Sequence, residues 1–150
     1  MNCLKWLMAI PVFILCISSC KKDEPGPTDD GIPYIELEEV TPTTIRQFKD
    51  SVIFRFFYHD SDGNLGYENA DSLSLQLHDN RLTHPDWFYV PPLAPLGEDV
   101  SIQGTLKIVL PNTFLLGNGA AEVVTYSLRL KDRAGNWSNT ITTPPLTIAR

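Results

Sequence analysis

The segment Asp60-Ser61-Asp62-Gly63-Asn64-Leu65-Gly66 sets side-chain oxygens at alternate positions around a glycine. Carboxylates and a carboxamide so spaced can converge on one hard cation, and calcium takes about six to eight oxygen ligands. Asp71 stands where a twelfth-position carboxylate would fall if Asp60 is first. The EF-hand pattern itself is broken, because Leu65 occupies its sixth-position glycine and no helical period flanks the loop. A second polar turn, Asp132-Arg133-Ala134-Gly135-Asn136-Trp137-Ser138, contributes Asp132 and Asn136. Asp60, Asp62, Asn64, Asp71, Asp132 and Asn136 are therefore the candidate calcium ligands. The competing reading is two tight turns, which select Asp, Asn and Gly for side-chain-to-backbone bonds and positive φ.

No other polar set has the spacing of a reaction centre. His59, His78 and His84 lack zinc-type spacing, and no G-x-S-x-G elbow is present. The expectation is a protein without catalytic machinery. The segment His84-Pro85-Asp86-Trp87-Phe88-Tyr89-Val90-Pro91-Pro92-Leu93-Ala94-Pro95-Leu96 is aromatic, apolar and proline-rich. It either presents a rigid surface to a protein partner or to sugar rings, or folds back over an open edge of the fold. Trp87, Phe88 and Tyr89, with Trp137, are the candidate partner contacts.

Strands must position these groups, because from Pro33 onward the apolar residues alternate with period two. Val52, Phe54, Phe56 and Tyr58 share one face, against Arg55 and His59 on the other. Leu73, Leu75 and Leu77 alternate with Ser72, Ser74 and Gln76, and Ile102, Leu106, Ile108 and Leu110 with Gln103, Thr105 and Lys107. Val124, Tyr126, Leu128 and Leu130 alternate with Thr125, Ser127, Arg129 and Lys131. Further strands are expected at Tyr34–Val40, near Trp87–Val90 and at Asn139–Ile148, the last an edge or bent at Pro144-Pro145. About seven short strands, each with one apolar face, predict an all-β, antiparallel β-sandwich over residues 32–150.

In this pattern Tyr126 lies two residues before Leu128 in the penultimate strand, the spacing of a tyrosine corner. The ending Asp132-Arg133-Ala134-Gly135-Asn136-Trp137-Ser138 resembles the D-x-A-G-N-x-S turn of bacterial Ig-like domains. The chain thus resembles immunoglobulin-like and fibronectin III-like sandwiches. That resemblance implies that the second and sixth strands run in the same direction, bringing the loops after His59 and after Lys131 to one end.

The first twenty residues are MNCLKWLMAIPVFILCISSC: Lys5, an apolar run from Trp6 to Ile17, two serines and Cys20. That order is a secretory signal peptide, and the run is shorter than the ~20 residues a spanning helix needs. The small-small-Cys ending resembles the lipobox of bacterial lipoproteins, which implies removal of residues 1–19 and lipid, including palmitate, on Cys20. Residues 20–31 read as a solvated tether, with Pro25-Gly26-Pro27 followed by acidic residues. Lys21-Lys22-Asp23-Glu24 resembles the export signal of Bacteroidetes-type surface lipoproteins. It implies an outer-membrane protein facing the cell surface, where an ordinary charged linker would face the periplasm.

The full chain has 12 Lys+Arg against 18 Asp+Glu, and without residues 1–19, whose one charge is Lys5, the net charge is −7. Acidity of this size argues against nucleic acid as a partner and is compatible with cations. Cys3 and Cys16 leave with the signal segment and Cys20 carries lipid, so the mature domain is expected to hold by its core without disulfides. The expected role is a lipid-anchored accessory or interaction module of an envelope complex. A glycan-binding surface lipoprotein and a calcium-stabilised spacer are the alternatives.

Overall fold

A computed structural model of the chain describes residues 26–150. Cys20, the segment 1–19 and the start of the tether lie outside the described residues. The described chain is all-β: ten strands in three sheets that pack as a β-sandwich. The strands are β1 Tyr34–Thr41, β2 Thr44–Arg46, β3 Val52–Asp60, β4 Leu73–Asp79, β5 Asp86–Tyr89, β6 Ile102–Leu110, β7 Ala121–Val124, β8 Tyr126–Leu130, β9 Ile141–Thr142 and β10 Leu146–Ala149. The sheet orders are β1-β3-β6, β2-β10-β7 and β5-β4-β8-β9. Pairing is antiparallel except between β2 and β10, which are parallel.

One hydrophobic core draws on all three sheets. The alternation in β3 buries Val52, Phe54 and Phe56, and that in β8 buries Tyr126, Leu128 and Leu130. Phe54 meets Tyr126 edge-on at 5.2 Å between ring centroids and 75° between planes, tying β3 to β8 across the sandwich. Ile45, Leu146 and Ile148 extend the core beneath β2 and β10.

The strand count exceeds the expected seven for local reasons. The run Val124–Leu130 keeps its alternation but breaks at Thr125, so β7 pairs with β10 while β8 pairs with β4 and β9. Pro144-Pro145 divides the expected last strand into β9 and β10, which belong to different sheets. A bulge between Leu73 and Leu75 reverses the expected phase at the start of β4: Ser74 is buried and Leu73 is 46% exposed. At the edge of its sheet, β1 is met by a side chain. Asn139 Nδ2 donates to the Ile35 carbonyl and Asn139 Oδ1 accepts from the Ile35 N–H, both at 2.8 Å.

An ion network fixes the other end of β8. Arg81 donates to both oxygens of Asp79 and, through Nη1, to Glu122 at 2.7 Å, while Nη2 also reaches the Phe114 carbonyl. Glu122 in turn accepts from the N–H groups of Leu116 and Gly117, which hold the loop after β6 in place.

Candidate functional site

β3 and β8 run in the same direction and deliver their following loops to one end. There Leu65 bridges Asp132, and the Arg133 N–H donates to the Asn64 carbonyl at 3.2 Å. Gly66, at φ +82°, lets this loop approach the Pro91 carbonyl, where a Cβ would lie 2.0 Å from the oxygen. The Tyr67 hydroxyl donates to the Asp132 carbonyl at 2.6 Å. Arg133 spans the first loop by donating to the carbonyls of Gly63, Leu65 and Gly66. The incoming chain is tied to the same place: the Gly31 N–H donates to Ser61 Oγ at 2.9 Å, and Asn136 Nδ2 reaches the Gly31 carbonyl at 3.4 Å.

Within this end each acidic group has a different environment. Asp62 accepts from Asn64 Nδ2 at 2.6 Å and from the Asn64 N–H at 3.3 Å. Asp132 is fully buried and accepts from the Asn136 N–H at 2.7 Å and from Asn136 Nδ2 at 2.9 Å. Asp60 is fully buried too, but neither of its oxygens is in a well-formed hydrogen bond among the described residues. Burial, then the neighbouring Asp62 charge, push its carboxyl up to about 6; the nearby Asn64 N–H offsets part of this, while the Asp62 side chain beside it and the Asp132 charge add to it. Asn64 Oδ1 is also buried without a partner.

Five of the six candidate ligands therefore come together, and Asp71 does not. Asp71 lies exposed in the Asn69–Ser72 turn, its N–H bonded to Asn69 Oδ1, and no hydrogen bond joins it to either loop. Twelfth-position counting fails because the chain after Gly66 turns toward Val90 and Pro91 instead of wrapping the loop. Ser61, Gly31, Tyr67 and Arg133 also belong to this end, although the motif spacing does not single them out. Ser61 is legible as a hydroxyl inside the motif; the others depend on contacts across the fold. Among the described residues no three His, Cys, Asp or Glu side chains are placed so as to hold a metal ion together.

The second candidate surface is the outer face of the β5-β4-β8-β9 sheet. β5 covers the edge of β4, as expected of a segment that folds back, yet Trp87 remains 40% and Tyr89 37% exposed. Phe88 turns inward and packs against the core, which removes it from the exposed set. Val90 and Ala94 are buried, so the proline-rich stretch closes the sandwich. Trp87 and Trp137 approach to 5.9 Å between centroids at a tilt of 52°. Arg129 Cζ sits 4.1 Å over the Trp137 ring, and Lys131 Nζ is 5.7 Å from it. Arg129 Nε also donates to Gln76 Oε1. Gln76, Arg129 and Lys131 are legible as the polar phase of β4 and β8, but not as neighbours of the tryptophans.

A groove of about 320 Å³ runs between β1 and β9, lined by Tyr34–Leu37 and Thr140–Thr142. His78 Nε2 contacts the Leu82 carbonyl at 2.8 Å within a turn, and His59 Nδ1 is buried without a hydrogen-bond partner among the described residues.

Fold and surfaces together define an antiparallel-dominated β-sandwich with a polar loop end and an aromatic–cationic face. No family model matches the chain, and no curated protein matches it. Among solved structures, a variant of the SrpA adhesin from Streptococcus sanguinis is similar at 21% identity with a TM-score of 0.40, over 81% of this chain and 58% of that one. This chain therefore spans less than two thirds of that structure's length, and a likeness of that degree says nothing about function.

Proposed function

We propose that the protein is a non-catalytic interaction module of the cell envelope, an Ig-like sandwich held at the outer membrane by lipid on Cys20 and facing the cell surface. The observation that carries the interaction reading is the aromatic–cationic face. Trp87 and Tyr89 stay exposed, Trp87 beside Trp137, and Arg129 and Lys131 make no ion pair among the described residues. Trp, Tyr and Arg are the residues that anchor protein interfaces, because they bury large areas with directional contacts. The alternative, a sugar platform, is less well supported: the two tryptophan rings are tilted, and Arg129 occupies the Trp137 face on which a sugar would stack. A protein partner with acidic and apolar groups fits this face.

The test is crosslinking followed by affinity isolation of the lipidated protein from membranes, run beside Trp87→Ala and Arg129→Ala variants. The expected result is a defined partner captured by the wild type and lost from both variants. Recovery of the wild-type chain always alone contradicts the complex-subunit reading.

A further inference from the structure

Three aspartates meet at the polar loop end, and among the described residues none of them is in an ion pair. Asp62 and Asp132 lie close enough for their charges to bear on Asp60. The cation within the loops, Arg133, is turned away from them: its guanidinium donates to the carbonyls of Gly63, Leu65 and Gly66. Turn chemistry accounts for Asp62 and Asp132, whose oxygens accept from Asn64 and Asn136. It does not account for Asp60, which is fully buried, with Asn64 and Asp62 nearby but neither oxygen in a well-formed hydrogen bond among the described residues. A buried carboxylate with no donor is strongly disfavoured unless something compensates it. Asn64 Oδ1, the second bare buried oxygen, belongs to the same loop.

We propose that this end binds a calcium ion, with Asp60 as the central ligand, Asp62, Asp132 and Asn64 Oδ1 completing its side-chain set, and the Gly31 carbonyl linking it to the incoming chain. The donors are carboxylate, carboxamide and carbonyl oxygens from three separate segments, without imidazole or thiolate. Such a set suits a cation that accepts many oxygens in irregular geometry better than magnesium, which demands a compact octahedron. Since no three acidic groups among the described residues are placed to hold an ion as they stand, binding requires Asp62 and Asp132 to exchange their Asn64 and Asn136 bonds for the ion. Binding therefore tightens both loops and fixes the chain at Gly31, which hydrogen bonds already hold to Ser61 and Asn136. This inference is independent of the partner-binding face.

The experiment uses the full lipidated chain in detergent, stripped with EDTA. Terbium is added as a luminescent probe, which Tyr67 sensitises through its position on the Asp132 carbonyl. Calcium is then titrated against it, while thermal melting and amide exchange at Gly31 and Ile32 are followed. Saturable terbium emission displaced by calcium, a higher melting temperature and slower exchange at Gly31 are expected. Asp60→Asn is expected to weaken calcium binding by about 100-fold or more, and Asn64→Ala gives the second reading if that variant folds poorly. The proposal is overturned if calcium changes neither melting nor emission, if magnesium acts equally at the same concentration, or if both variants bind calcium like the wild type.

Discussion

Replacing Asp60 by Asn separates the cost of a buried charge from its use. Without a cation, the fold raises the Asp60 carboxyl from 3.8 to about 6, because burial and then Asp62 disfavour its ionised form. A rise of about two pH units corresponds to ~3 kcal/mol. The sign follows from proton binding: between about pH 4 and pH 6 the folded state holds a proton that the unfolded state has lost, so stability falls as pH rises through that window. Above about pH 6 the full penalty is present, and below about pH 4 it vanishes. In EDTA, Asp60→Asn is therefore expected to be more stable than the wild type at neutral pH by up to ~3 kcal/mol, on the order of 10 °C in melting temperature for a domain of this size. It also loses the excess pH slope between about pH 4 and pH 6. Urea melts followed by tryptophan fluorescence, run across pH in EDTA and in excess calcium, read both quantities. In calcium the order reverses, since the wild type regains stability that the variant does not. Equal stability of the two proteins in EDTA at neutral pH, with identical pH slopes, would refute the reasoning.

Arg81→Gln leaves Asp79 nearly buried without its guanidinium, and is expected to cost about 3–5 kcal/mol in chemical denaturation while loosening the Phe114–Gly117 loop. Gly66→Ala forces a Cβ toward the Pro91 carbonyl from a positive φ, with an expected loss on the order of 3 kcal/mol, measured by melting temperature. Cys20→Ala is expected to abolish palmitate labelling and move the protein out of the membrane fraction, while the circular dichroism of the domain stays that of the wild type; a variant still firmly in the membrane fraction contradicts the lipid anchor.

The fold is readable where one side chain in two has to be apolar. β3 and β8 show it in Val52, Phe54 and Phe56 and in Tyr126, Leu128 and Leu130, all buried as their alternation requires. The juxtaposition of the Asp60 and Asp132 loops is anticipated only through the resemblance to Ig-like sandwiches, which implies that the two preceding strands share a direction. What escapes is set by events that leave the hydrophobic period intact. The break at Thr125 does not disturb the alternation around it, and the bulge that turns Ser74 inward gives no warning in the run Leu73–Leu77. Counting along the chain puts Asp71 in the polar loop end because it uses sequence distance where the path of the backbone decides. The Arg81 network and the stacking of Arg129 on Trp137 join residues from different elements, and no local spacing encodes them.

Asn139 has a consequence for the company the protein keeps. A sheet ends where its last strand pairs with no further strand, and among the described residues the outer rim of β1, which faces β9 across a groove, is such a place. There a single carboxamide presents one donor and one acceptor to Ile35, as a neighbouring peptide unit would. It works as a stopper, occupying the rung on which a strand from another copy would begin to align. Its worth is counted less in melting temperature than in resistance to strand-to-strand association when the protein is concentrated.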